Sequence, residues 1–131
     1  MDYQAALRAR LIAAAPVNTL VSGRVYWVDR PQGSQLPAIT LQVISDERPQ
    51  TMDGFIKTRA TTVQVDCWAP SYSVKTQLAE AVIAAVTPAT TLNGVKFHRA
   101  LVNDVRDLGE RVETQFYHRA SIDLVVWHTP A

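Results

Sequence analysis

The sequence predicts an α+β fold in which two helices pack on one face of a largely antiparallel sheet. Two amphipathic helical segments stand far apart in a chain of 131 residues, and segments rich in β-branched and aromatic residues lie between and after them. The predicted order, α-β-β-β-α-β-β, lacks the regular alternation of strand and helix that builds a parallel sheet. The length is typical of one domain, so we expect a single domain over residues 1–131.

The first helix is predicted from Tyr3, with Asp2 as its N-cap and Pro16 at its end. Its apolar positions recur at spacings of three and four residues: Leu7, Leu11, Ile12 and Ala15. Residues 17–23 can form one short turn. The next segment, 24–28, is predicted as a strand, and 30–34 as a loop.

Two strands, 38–48 and 55–68, are predicted to form a hairpin around Asp53-Gly54. A two-residue turn would place apolar residues opposite polar ones on both faces. A three-residue loop, 52–54, instead pairs Val43 with Val63, Leu41 with Val65 and Ile39 with Cys67, so we favour it. That register also sets Glu47 opposite Arg59. The tip carries few apolar residues and is expected to project beyond the core.

The second helix is predicted to start with an N-cap in segment 70–73 and to end at Pro88. Its apolar stripe consists of Tyr72, Leu78, Ala79, Val82, Ile83 and Val86. A polar linker with Asn93-Gly94 follows. A last hairpin is predicted from strands 95–108 and 114–127, with its turn at 109–113. Setting Asp107 opposite Gln115 pairs Ala100 with Ile122, Val102 with Ala120, and Arg99 with Asp123 as an ion pair.

Helices on one sheet face leave the other face open, and that second face remains too apolar for water. The charged fraction, 19%, is also low. Both features favour subunit contact over coverage by loops of the same chain. The candidate interface residues are Phe97, Leu101, Tyr117, Val125 and Trp127 on the outer face, with Met52, Asp53 and Phe55 at the hairpin tip.

Several kinds of chemistry lack support in the sequence. The net charge is +1 with interspersed signs, so we expect no sequence-specific nucleic-acid binding and no membrane binding. His118 and His128 would lie about 33 Å apart on one strand and cannot share a metal; His118 could instead lie near Asp104. Cys67 is predicted on the core face. We therefore expect no metal, no cofactor and no enzymatic activity, with a small hydrolase using Cys67 or a histidine as the alternative.

Nine short segments are spread along nearly the whole chain: residues 7–11 (LRARL), 20–27 (LVSGRVYW), 30–33 (RPQG), 36–39 (LPAI), 63–69 (VQVDCWA), 78–82 (LAEAV), 106–108 (RDL), 117–119 (YHR) and 126–128 (VWH). Each segment is mostly structural, so the comparison depends on their number and order. In both respects the chain resembles the tail completion or tail terminator proteins of long-tailed bacteriophages and gene transfer particles.

The resemblance implies a structural virion protein, assembled in the host bacterial cytoplasm, that forms a ring, expected to be a hexamer, on the tail tube. There it would end tail polymerisation and present a docking surface to the head connector. The implied partners are further copies of the chain, the tail tube protein and the head–tail connector protein. The alternative within the same particle is another neck or head-closure adaptor.

Overall fold

A curled, mostly antiparallel sheet of seven strands carries three helices on one face in the computed structural model, which describes residues 2–29, 35–48, 50–55, 57–112 and 114–130. The helices are α1 (Tyr3–Ala13), α2 (Ala15–Val21) and α3 (Tyr72–Val86). The strands are β1 (Val25–Trp27), β2 (Ala38–Glu47), β3 (Gln50–Thr51), β4 (Gly54–Phe55), β5 (Arg59–Ala69), β6 (Thr90–Leu92), β7 (Val95–Phe97), β8 (Leu101–Val112) and β9 (Gln115–Pro130).

The sheet follows the order β1-β2-β5-β9-β7-β6, and β8 pairs with the same edge of β9 as β7. Strands β1 and β2 are parallel, whereas the other pairs are antiparallel. This arrangement confirms the predicted α+β class. The predicted loop at 30–34 lies outside the described residues.

The helical region before β1 contains two helices where one was predicted. Asp2 caps α1 as expected, since its carboxylate accepts a hydrogen bond from the Ala5 amide at 2.8 Å. Ala14 is extended and ends α1, and Pro16 lies in the first turn of α2. Because the first turn of a helix has no internal partner for its N–H groups, proline is tolerated there and begins the second helix.

The central hairpin confirms the predicted core register. Val43 lies opposite Val63, Leu41 opposite Val65 and Ile39 opposite Cys67. A bulge between Val43 and Ser45 then shifts the pairing, so the expectation for Glu47 is wrong: it lies opposite Ala60. The extra residue turns a neighbouring carboxylate, that of Asp46, toward the Arg59 guanidinium instead.

The tip of this hairpin forms a separate two-stranded ribbon, β3–β4. Thr51 pairs with Gly54, so Met52 and Asp53 form a two-residue turn and the predicted three-residue loop is wrong. Gly54 has φ +125°, a conformation that L side chains rarely adopt. The expected polar linker is likewise a hairpin turn between β6 and β7, because Asn93 and Gly94 both have positive φ.

The predicted register of the last hairpin is wrong. Val105, not Ala100, lies opposite Ile122, and the paired strands run as far as Val112 and Gln115. The predicted strand 95–108 is interrupted at 98–100, where the Ala100 amide donates to the Thr87 carbonyl at 3.0 Å. Residues 109–112, which were predicted as part of the turn, therefore belong to the strand. The pairing of Arg99 with Asp123 does not form.

The core lies between the three helices and the inner sheet face. Side chains from alternate positions of β2, β5 and β9 meet the buried faces of α1, α2 and α3. This alternation explains why the central strands combine buried and half-exposed residues. The largest buried side chains are Phe97, Leu7, Leu11, Ile39, Leu41, Leu78, Ile122, Leu124, Val17, Val21, Val25 and Val63.

Candidate interaction surface

An apolar corner of the outer sheet face is left open by the described helices, which pack on the opposite face. Leu101 lies directly opposite Val125, and Trp127 lies two residues further along β9, opposite Ala60 on β5. Leu101 is 54% exposed and Trp127 39%, and Val125 is half-buried. Three of the predicted interface residues therefore form one surface, called here the Trp127 corner: Leu101, Val125 and Trp127.

The other two outer-face predictions have different outcomes. Tyr117 shares this face but lies ten residues before Trp127 on the same strand, or about 33 Å away. Phe97 does not belong to the outer face. It pairs with His128 on the inner face, is 1% exposed, and packs beneath the Arg10 guanidinium at 5.4 Å. The wrong register assigned Phe97 to the opposite face, because a shift of one residue inverts every side chain of a strand.

Between these two ends, the outer face is polar and internally paired. Arg106 donates to Asp123 at 2.8 Å and also reaches Ser121. Arg119 lies over the Trp68 ring at 4.8 Å, with its guanidinium 3.7 Å from Asp66. These opposite charges lie near one another across the strands, although the buried Arg119 Nε has no hydrogen-bond partner among the described residues.

The tip of the central hairpin exposes an isolated apolar side chain. Met52 is fully exposed at the two-residue turn, and Asp53 follows it with its amide hydrogen-bonded to Thr51 at 3.3 Å. The side chain of Phe55 lies outside the described part of the structure. Residues 51–54 are called here the Met52 turn. Its exposure agrees with the expectation that the hairpin tip projects beyond the core.

A groove that the sequence interpretation missed lies at the opposite end of the sheet, between the first turn of α3 and the β8–β9 hairpin. It has an open volume of about 260 Å³. The His118 ring meets Phe116 and Tyr72 edge-on at 4.8 and 6.1 Å. Its lining residues, called here the Tyr72 groove, are Tyr72, Lys75, Asp107, Leu108, Gly109, Phe116 and His118.

An ion pair forms the floor of the Tyr72 groove. The Lys75 side chain is only 4% exposed, and its amine contacts the Asp107 carboxylate and lies 3.8 Å from the centre of the Tyr72 ring. Hydrogen bonds from Lys75 and Tyr72 lower the pKa of Asp107. The sequence patterns did not predict this site, because they assigned Tyr72 to the apolar stripe of the helix. In the structure Tyr72 is 58% exposed. The groove exists because β8 extends past α3.

Cys67 and the two histidines that were considered for catalysis are packed against, or paired with, other residues of the fold. Cys67 is buried, and burial raises the pKa of its thiol, as expected for a core cysteine. His128 is buried: it stacks on Tyr3 at 4.2 Å and hydrogen-bonds Thr61 at 2.9 Å. His118 lies opposite Gly109, not near Asp104.

Neither a metal site nor a membrane-spanning helix is found in the described segments. Among those residues, no three histidine, cysteine or acidic side chains converge as metal ligands. None of the described helices is long and apolar enough to cross a membrane. Three surfaces have been described so far: the Trp127 corner, the Met52 turn and the Tyr72 groove.

Comparison with known proteins identifies the family. A solved chain described as "Virion of native gene transfer agent (GTA) particle" has the same fold, with a TM-score of 0.66 and 18% identity over 96% of this chain and 93% of that one. No curated protein matches. The family model "Tail completion protein gp17" matches residues 5–129. The chain therefore belongs to the tail completion protein gp17 family of structural, non-enzymatic components of phage-like virions, which confirms the sequence resemblance.

Proposed function

We propose that this tail completion protein forms a closed ring on the last ring of the tail tube. The ring ends tail polymerisation by covering the surface that the next tube subunit needs, and its other side receives the head connector. The observation that carries the proposal is the Trp127 corner, where Leu101 and Trp127 are 54% and 39% exposed beside Val125. In a virion protein of this family, such a patch is suited to subunit contact.

The chain carries the distinct surfaces that a ring contact needs. Its exposed apolar features occur at several separate places and are not alike, so copies can meet through two different surfaces. Such heterologous contacts close into a ring when the rotation between neighbours divides a full turn. We expect six copies, in keeping with the resemblance to tail terminators.

The number of copies is tested by native mass spectrometry of the purified chain, both alone and after incubation with isolated tail tubes. A closed ring gives a single discrete oligomer, free or bound at the tube end. A chain that stays monomeric in both conditions would overturn the proposal. A monomer in isolation that assembles on tubes supports it, since the tube can template the ring.

The place of the ring in the particle is tested by deleting the gene for this chain. Loss of a terminator leaves tails of abnormal length, because polymerisation no longer stops at the correct point. Tails of normal length beside unjoined heads would instead indicate a neck or head-closure adaptor, the second candidate function. Electron microscopy of negatively stained lysates distinguishes the two.

A further inference from the structure

We infer that the Met52 turn of one copy inserts into the Tyr72 groove of the next copy, and that this contact propagates the ring. The inference rests on the proposed function and adds, to the contact expected at the Trp127 corner, a second contact formed by two further surfaces. It also assigns a binding role to the groove residues Tyr72, Phe116 and His118, which interact with each other across two elements.

The two surfaces lie at opposite ends of the sheet. Strand β5 joins them: Arg59, near the Met52 turn, pairs with His128, and Ala69, near the groove, pairs with His118. Ten residues of extended strand separate these pairs, or about 33 Å. The Met52 turn therefore cannot reach the groove of its own copy. In a second copy placed end to end with the first, the Met52 turn of one copy meets the groove of the other.

The two surfaces offer a projecting side chain and an open groove. The Met52 turn caps a narrow two-stranded ribbon that is separate from the main sheet, and its methionine is fully exposed. The groove offers an open volume of about 260 Å³. An unbranched thioether adapts to an irregular space, and sulfur packs well against ring edges. Tyr72, Phe116 and His118 supply those edges.

The charges are complementary as well. The Asp53 carboxylate, beside Met52, has no ion-pair partner within the described residues. At the groove, Arg111 lies over the Phe116 ring at 5.7 Å and donates to the Thr114 carbonyl, and no described carboxylate pairs with it. Asp107 is already engaged by Lys75. Docking would place Asp53 of one copy near Arg111 of the next, so each side chain would gain an oppositely charged partner.

The test uses two variants, each of which disables one side of the contact. Met52→Glu places a charge on the inserted side chain, and a buried unpaired charge is strongly unfavourable at an interface. Tyr72→Glu removes one of the ring edges that would receive the methionine and leaves a polar carboxylate beside Lys75 in its place. Tyr72→Glu should fold, since an acidic residue in the first turn of α3 favours the helix. Ile44→Glu is the control, being an exposed apolar residue, at 53%, on the same hairpin but outside the turn.

Native mass spectrometry should show the ring for wild-type protein and Ile44→Glu, and at least a tenfold smaller assembled fraction for Met52→Glu and Tyr72→Glu, measured free and on isolated tail tubes. The decisive sample is the mixture of the two defective variants. The Met52→Glu copy keeps a groove and the Tyr72→Glu copy keeps a turn, so the mixture should form a dimer with one copy of each and nothing larger.

A charge exchange gives a second measurement that does not depend on the apolar variants. Asp53→Arg and Arg111→Asp should each weaken assembly, and the double variant should recover it. Normal assembly by both defective apolar variants, or equal loss in Ile44→Glu, would overturn the inference while the ring stands. A wild-type chain that is monomeric both free and on tubes would overturn the proposed function, and this contact with it.

Discussion

At the scale of single residues, Phe97 and Trp127 show how completely a strand face determines the role of an aromatic ring. They lie on neighbouring strands, yet Phe97 is 1% exposed against the helices and Trp127 is 39% exposed on the other face. The same hydrophobic character thus stabilises the monomer at one position and is available for contact at the other. Their substitutions should have opposite consequences.

We expect Phe97→Ala to lower the free energy of unfolding by about 3–5 kcal/mol, because the lost ring leaves a cavity in a packed core. Trp127→Glu should leave the monomer folded and weaken assembly. Urea unfolding followed by circular dichroism measures the first effect, and native mass spectrometry the second. An unfolded Trp127→Glu chain would show that this ring supports the core and would remove the Trp127 corner from the interface.

His128 makes the stability of the fold depend on pH. Its burial, with the nearby Arg59 charge, lowers the pKa of the imidazole to about 4, whereas an unfolded chain would titrate near the ordinary value of about 6.5. Between these values the unfolded state binds more protons than the folded one. The contribution of His128 to the free energy of unfolding is therefore fully present above about pH 6.5 and is lost as the pH drops toward 4.

The expected loss from this group is roughly 2–3 kcal/mol in the free energy of unfolding by about pH 4. Urea unfolding of the wild-type chain and of His128→Asn, at about pH 7 and about pH 4.5, measures it. His128→Asn should be less stable at the higher pH and should depend less on pH. Equal pH dependence in both chains would assign the effect to other groups.

At the scale of elements, the β8–β9 hairpin depends on a glycine. A Cβ at Gly109 would lie 2.6 Å from the Phe116 ring and 3.0 Å from the Tyr117 carbonyl oxygen. The ring thus covers the glycine across the strand pair, a known way to stabilise a strand glycine. This packing holds Phe116 beside His118 in the Tyr72 groove.

Gly109→Ala should cost about 1–3 kcal/mol, because the Phe116 ring must move out of its packed position. In a Phe116→Ala background the same change should cost much less, since the ring is gone. A double-mutant cycle by urea unfolding measures this coupling. Additive effects of the two substitutions would show that the close approach of the Phe116 ring to Gly109 does not contribute to the free energy of unfolding.

At the scale of the whole molecule, the hairpin tip is separable from the fold. Replacing residues 50–55 by a two-residue Asn-Gly turn removes no described side chain of the core. The melting temperature should change by only a few degrees, about the shift that 1 kcal/mol produces in a small domain. Tail joining in a complementation assay should be lost. Normal joining by the shortened chain would remove the tip from the functional surface.

The sequence alone determined the fold class, the family and the core register of the central hairpin, up to Val43. Those features follow from patterns that act locally: the caps at Asp2 and in segment 70–73, and the alternation that matches Val43 with Val63. Burial on one face leaves a single register that satisfies both strands. The predicted outer face was also correct for Leu101, Val125 and Trp127, which the structure brings together, because the register error at Leu101 is an even number of residues and keeps its side chain on the same face.

The tertiary structure alone decided the last hairpin, the place of Phe97 and the existence of the Tyr72 groove. Strands β8 and β9 carry apolar residues on both faces, so several registers satisfied the sequence pattern equally well. The break at 98–100 is set by a contact far along the chain, from the Ala100 amide to the Thr87 carbonyl at the end of α3. No local pattern encodes that contact, and it moves every later residue of the strand relative to its partner.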